Sequence, residues 1–295
     1  MRQGSGHTSR VTRHFERAFT LIELLTVIAI IGILAALLAG SVRGWLKGDA
    51  TVAATRQMLD DCARARQLAI SERSTVLMVF IPTNFWSSPI NVARWSQIPI
   101  NVRTSMVTTQ AYGAQLNGYM MISLRDVGDQ PGRANPKDLV SIKTLPNGSF
   151  FEPLIYAPLA TPIYPFNRPD LPIYGLLTTN AIPFPTATVL TNAGPPNPNY
   201  LGTFQSLGGL TLPYIAFNYL GQLTAGDGSV LAHDENIPLA YGSFGPAFSP
   251  GTKLPMQANP SYSEEPPGNS TNISYNIIHI DRLTGRARLE RQDSL

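Results

Sequence analysis

The chain has one cysteine, Cys62, only four histidines and few charges, with Asp, Glu, Lys and Arg making up 14% of its 295 residues. A lone cysteine excludes an intrachain disulfide framework and leaves no thiolate set for a zinc ribbon or an iron–sulfur cluster. No G-x-S-x-G elbow, H-E-x-x-H helix or phosphate-binding glycine loop occurs, so no catalytic constellation is recognisable and an enzyme is not expected. No proline occurs before Pro82; all 25 lie between Pro82 and Pro267. Two compositions are therefore joined near residue 82.

What charge there is sits unevenly. The formal charge is +3 and the pI near 9, values that raise nucleic acid or acidic lipid as a partner. Residues 1–18 carry Arg2, Arg10, Arg13 and Arg17 against Glu16, and the remaining 277 residues hold 18 basic and 18 acidic side chains. Charge beyond the first 18 residues therefore implies no nucleic acid.

From Phe19 to Gly40 the sequence reads FTLIELLTVIAIIGILAALLAG, with Glu23 its only charge. A hydrocarbon core about 30 Å thick needs ~20 apolar residues as helix, so this run is long enough to span a membrane. The preceding arginines put the N-terminus in the cytoplasm and residues 41–295 across the membrane. Arg43, Trp45 and Lys47 suit the far interface. A secretory signal peptide fits less well, because its apolar region runs only about 7–15 residues. An ordinary signal anchor explains everything except Glu23, whose carboxylate costs roughly 2.5–3.5 kcal/mol near the centre of a spanning helix and less near its end. Such a group needs a partner. After a cut before Phe19, Glu23 would lie one helical turn from a free α-amine.

The stretch Arg17-Ala18-Phe19-Thr20-Leu21-Ile22-Glu23-Leu24-Leu25 closely resembles the processing site of type IV prepilins and type II secretion pseudopilins. The resemblance implies that a prepilin peptidase cuts between Ala18 and Phe19 and methylates Phe19. It gives Glu23 the place of the glutamate that neutralises a neighbouring subunit's N-terminal amine during assembly. The residue before the cut is usually glycine in the family; here it is Ala18, which is also small, so processing is expected to be slower or tolerated. Gly32 and Gly40 match helix-weakening positions, each costing a helix roughly 1 kcal/mol relative to alanine. Close packing of small residues accounts for them equally well.

Residues 41–74 continue the helix as an amphipathic segment, with Val52, Thr55, Leu59, Cys62, Ala63, Ala69 and Ile70 on its apolar stripe and Asp60, Asp61, Arg64 and Glu72 on other faces. Cys62 is expected to be a buried thiol. Strands are expected at 75–81, 118–124, 139–145, 148–151, 214–219, 222–225, 273–280 and 286–290, with turns at Pro146-Asn147-Gly148 and Asp281–Gly285. The fold class is α+β: a long N-terminal helix, transmembrane in its first half, packed on an antiparallel head over 75–295. Insertions near 82–117, 146–210 and 227–271 are rich in proline or poor in pattern and are not expected to supply central strands. Aromatics such as Tyr112, Phe151 and Tyr156 could anchor them on the head, and surface elaboration is favoured over a binding function.

Within the family the chain is similar to pseudopilin H. Ala65-Arg66-Gln67-Leu68-Ala69-Ile70 leads directly into a strand, and Leu145–Gly148, Ile215–Gly221 and Thr284–Arg288 follow in the family's order. The implied function is that of a minor pseudopilin in a type II secretion system. Its partners are the prepilin peptidase, other pilin-like subunits, an inner-membrane assembly platform and membrane lipid. Its place is the bacterial inner membrane in a single pass, with a periplasmic head, and then a pseudopilus filament. The alternatives are a type IV pilus subunit for adhesion, motility or DNA uptake, and a periplasmic binding protein or enzyme that uses the helix only as an anchor. Asp227, Asp234 and Glu235, beside His233, offer oxygen ligands for calcium, but their spacing fits no EF-hand. No cofactor or metal is expected. His279 reads as a packed strand residue, and the sequons at Asn147 and Asn269 carry little weight in a bacterial protein.

Overall fold

The computed structural model describes residues 20–83, 85, 111–125, 137–156, 161–165, 168–182, 210–225, 228–252, 258–272 and 274–291; residues 36–49, 179–182 and 210–211 are described as backbone only. The cut between Ala18 and Phe19, and Asp227, lie outside the described residues. The chain divides into two compact units, Met1–Leu46 and Lys47–Leu295. Helix α1, Leu21–Glu72, begins in the first and ends in the second. It runs through Gly32 and Gly40 without a break.

Eleven strands are assigned among the described residues: β1 Val76–Phe80, β2 Gly118–Ser123, β3 Lys137–Thr144, β4 Ser149–Phe151, β5 Leu177–Ile182, β6 Leu210–Phe217, β7 Leu223–Thr224, β8 Glu235–Gly245, β9 Ser261–Glu264, β10 Asn276–Ile280 and β11 Ala287–Arg291. They form two sheets, every pairing antiparallel. The first has the order β3-β2-β1-β6-β5, with β7 also on β6; the second has the order β11-β10-β8-β4, with β9 also on β8. The α+β class with antiparallel sheets and an N-terminal helix is thus observed.

Side chains two apart in a strand share a face, and that period divides the core. Val76, Met78 and Phe80 of β1, Ile215 and Phe217 of β6, Ile237 and Leu239 of β8, and Ile278 and Ile280 of β10 join one cluster with Ala54, Met58, Cys62, Ala65 and Ala69 of α1. The intervening Leu77 and Val79 belong to a second cluster, with Phe85, Ala111, Tyr112 and Ala114. Both ends of the 82–117 insertion therefore cover the outer face of the first sheet, and β1 is buried on both sides.

Two expectations need correction. The buried stripe of α1 runs through Ala54, Thr55, Met58, Asp61, Cys62, Ala65 and Ala69, whereas Val52, Leu59 and Ile70 are only half-buried and Ala63 is exposed. The stripe is narrower and rotated because small residues let the helix sit close to the sheets. Second, the 227–271 segment does supply a central strand, β8, although it contains Pro238. In an extended strand the N–H and C=O of one residue point the same way. The Pro238 carbonyl accepts from the Glu152 amide at 3.1 Å. The missing N–H therefore faces the residue just past the end of β4 and ends that ladder, while pairing with β10 continues at Ile237 and Ile278. Proline is tolerated where its lost donor has no acceptor waiting. β5, inside the 146–210 insertion, lies at an edge of the first sheet.

Both expected turns form. The Ser149 amide donates to the Pro146 carbonyl at 3.0 Å. Between β10 and β11 the Gly285 amide donates to the Asp281 carbonyl, and Asp281 Oδ1 accepts from the Thr284 amide at 2.7 Å.

Candidate functional site: the start of helix α1 and the far end of the head

At the start of α1, Thr20 and Glu23 close the first turn on each other. The Thr20 amide and hydroxyl donate to Glu23 Oε2 at 3.0 and 2.9 Å, and the Glu23 amide donates back to Thr20 Oγ1 at 3.3 Å. This is a capping box, which satisfies N–H groups that have no partner inside the helix. The spacing Thr20-x-x-Glu23 is its signal in the sequence, beside the pairing role expected for Glu23 from the resemblance. The Thr26 hydroxyl donates to the Ile22 and Glu23 carbonyls at 2.9 Å, so its polarity too is absorbed by the helix itself.

The rest of this segment is apolar on every side. Each large apolar side chain from Leu21 to Leu34 is exposed, 47% at Val27 and 81% at Leu21. A helix that is hydrophobic all round buries itself in lipid or among other helices. Among the described residues no helix is long and apolar enough to cross a membrane; side chains are described only to Ala35, within an apolar run that the sequence continues to Gly40. Around Gly32 an added Cβ would meet nothing within 4 Å among the described residues.

Three passages that carry the finer resemblance meet within the second unit. Arg66 Nε donates to the Thr284 carbonyl at 2.6 Å, across 218 residues. A Cβ on Gly221 would lie 2.9 Å from Ile70 Cδ1, and one on Gly285 would lie 2.0 Å from the Gly221 carbonyl oxygen. The end of α1, the β6–β7 turn and the β10–β11 turn are thus one joint: Arg66 and Ile70 reach it with their side chains, and the two turns meet backbone to backbone at two glycines of positive φ. Tyr219, Leu220 and Leu283 are exposed on its two turns.

Polar groups inside the head are largely occupied. Asp61, expected on a solvated face, is buried: its carboxylate accepts from the Tyr119 hydroxyl and, at 2.7 Å, from Lys143 Nζ. Gln57 Nε2 donates to the same Tyr119 oxygen at 2.8 Å. Burial, then the bond to Asp61, raises the Tyr119 pKa. No periodicity could reveal this cluster, because its members come from α1, β2 and β3. Cys62 is fully buried as expected, and burial pushes its thiol up to about 12, which leaves it unreactive.

Asp234 and Glu235 do not converge as a calcium site. Asp234 Oδ1 accepts from the Arg282 amide at 2.9 Å, and its other oxygen lies 3.5 Å from His279 Nε2. Glu235 is 2% exposed, and burial raises it to about 8. Among the described residues no group of three or more His, Cys, Asp or Glu side chains is placed to hold a metal ion. His279 is packed in β10, with Nδ1 2.9 Å from Asn236 Oδ1, and burial, then Arg288, lowers its pKa. In the second sequon Asn269 bonds both the amide and the carbonyl of Tyr241, and Ser270 and Thr271 are buried.

Compared with known families, residues 13–39 match the prokaryotic N-terminal methylation motif. This supports a type IV pilin-like chain; the match covers the six residues before Phe19 and the start of α1 and does not extend to the head. No curated protein and no solved structure matches the chain.

Proposed function

We propose that the chain is a minor pseudopilin of a type II secretion system, a structural subunit and not an enzyme. It is inserted with its N-terminus in the cytoplasm and spans the inner membrane through residues 19–40. A prepilin peptidase cuts between Ala18 and Phe19 and methylates Phe19. The subunit then leaves the bilayer from an assembly platform and joins a periplasmic pseudopilus that supports protein export. The observation that carries this reading is the methylation motif over residues 13–39, which leads into a helix start whose large apolar side chains are all exposed.

Outside a filament the Glu23 carboxylate is held by Thr20. In a filament core the apolar surfaces of neighbouring helices replace lipid, and a neighbour's α-amine supplies a cation for Glu23. An ion pair in an apolar core is strong only where both charges are paired, so the pairing selects correctly staggered subunits. Local melting between Gly32 and Gly40 would let the segment lengthen on extraction.

Mass spectrometry of the mature N-terminus tests the processing step. Methylated Phe19 is the expected result, and an intact Met1 contradicts the pilin-like assignment. Glu23→Leu is expected to insert normally but not to be recruited into filaments; normal recruitment removes the role given to Glu23. Deleting the gene should abolish export while leaving surface pili and motility intact, and the opposite pattern assigns the subunit to a pilus.

A further inference from the structure

The Ser270 hydroxyl lies between two carboxyl groups, 3.0 Å from Glu152 Oε2 and 2.5 Å from Glu264 Oε1. A hydroxyl carries one proton and can donate to one of them only. The second close oxygen–oxygen contact needs a proton of its own, and that proton can come only from a carboxyl group. Both contacts are hydrogen bonds at once when one of the two glutamates is protonated. Ser270 is 1% exposed, and both glutamates are half-buried.

The three residues come from separate elements. Glu152 follows β4 and opens the 3-10 turn Pro153–Tyr156. Glu264 ends β9, a short exposed strand paired only with the outer part of β8. Ser270 lies in the loop that returns to β10, and Asn269 beside it is fixed to Tyr241 of β8. The arm crosses β8 at Gly242, where a Cβ would fall 1.9 Å from the Ser263 carbonyl oxygen. Under the arm, the Phe150 ring lies 6.0 Å from that of Tyr262 and 5.4 Å from that of Phe244.

We propose that Glu152, Glu264 and Ser270 form a proton-operated clasp that fastens the β9 arm and the following loop to the end of β4. With one proton shared, all three oxygens are satisfied and the arm is held down over Phe150. When that proton is lost, two carboxylates face each other across one hydroxyl, and the arm is released with Tyr262. Burial first, and then the bond to Glu264, raises Glu152 to about 7, which puts the transition near neutrality. The Ser270 hydroxyl and the Leu154 amide oppose this shift, and among the described residues no cation acts on Glu152. The other titratable side chains on the elements meeting here are Tyr156, Glu235, Tyr241, Tyr262 and Glu265; Tyr156 is raised well above the usual phenol range by burial and stays neutral throughout, and Glu235, at the opposite end of β8 beside β10, is raised to about 8 by burial.

Hydrogen exchange of the full chain in detergent, at about pH 5.5 and about pH 8.5 and corrected for intrinsic rates, tests the clasp. Protection of residues 261–272 should fall at the higher pH about tenfold or more beyond whatever β10 and β11 lose through Glu235. In Glu264→Gln the amide can donate to Glu152 without a titrating proton, so the arm should lose no more protection between the two pH values than β10 and β11 do. Equal wild-type protection at both values, or an unchanged step in Glu264→Gln, overturns the proposal. Protection at high pH that requires added calcium and is lost to a chelator also overturns it, because the carboxylates would then hold a cation.

Discussion

Glu235 begins β8 facing the same way as Ile237 and Leu239, with one carboxylate oxygen lacking a hydrogen-bond partner among the described residues. Burial first, and then nearby Asp234, raises it to about 8. A carboxyl group raised in the folded state holds its proton more tightly there than in the unfolded chain. Its contribution to stability is full below the unfolded value of ~4.3 and is lost as pH rises through about 8. Glu235→Gln should therefore flatten the pH dependence. It is expected to unfold close to wild type near pH ~5, and to be more stable than wild type near pH ~9 by ~1–3 kcal/mol. Urea midpoints at the two pH values check this, and a wild-type slope retained in the variant contradicts it. Asp61 illustrates the opposite case: a buried carboxylate whose tyrosine and lysine partners satisfy it.

At the scale of elements, helix α1 and the inner strands were legible because their side-chain periods are local. Eight of the strands fall where β-branched and apolar runs end at turn residues. β5, β8 and β9 were not legible. β8 carries Pro238 and four small residues among its eleven, and its identity as a strand comes from its neighbours β10 and β4 rather than from its own composition. Its pairing with β9 depends on one missing side chain. Gly242→Ala would place a Cβ 1.9 Å from one backbone atom of β9 and 2.9 Å from another, and backbone cannot yield as a flexible side chain can. The expected result is a loss of ~1–3 kcal/mol, with hydrogen exchange rising in 261–264 and unchanged in β10 and β11. Unchanged exchange across β9 would show that the strands can part without cost.

The whole molecule consists of two units with different chemistry. Met1–Leu46 contains the start of α1 with its exposed apolar surface, and Lys47–Leu295 contains both sheets and the four buried clusters. A chain beginning at Lys47 retains the stripe from Ala54 to Ala69 that the sheets pack on. It is expected to fold cooperatively and to stay soluble without detergent, whereas the full chain partitions into micelles. Circular dichroism and sedimentation check both halves of this prediction, and an unfolded or aggregated head would mean that the first unit is needed for folding.

The sequence by itself determined the first unit. A run of apolar residues, one glutamate at a set distance from a small–Phe junction and a basic leader are facts of order along the chain, as are the capping box and the two turns, because each acts over a few residues. Only tertiary structure decided the rest. It buried Asp61, made a proline-containing strand central, and brought Glu152 to Ser270 and Arg66 to Thr284 across 118 and 218 residues. Those contacts depend on how strands are registered and stacked, and side-chain burial follows from which neighbour arrives. No local pattern specifies that neighbour.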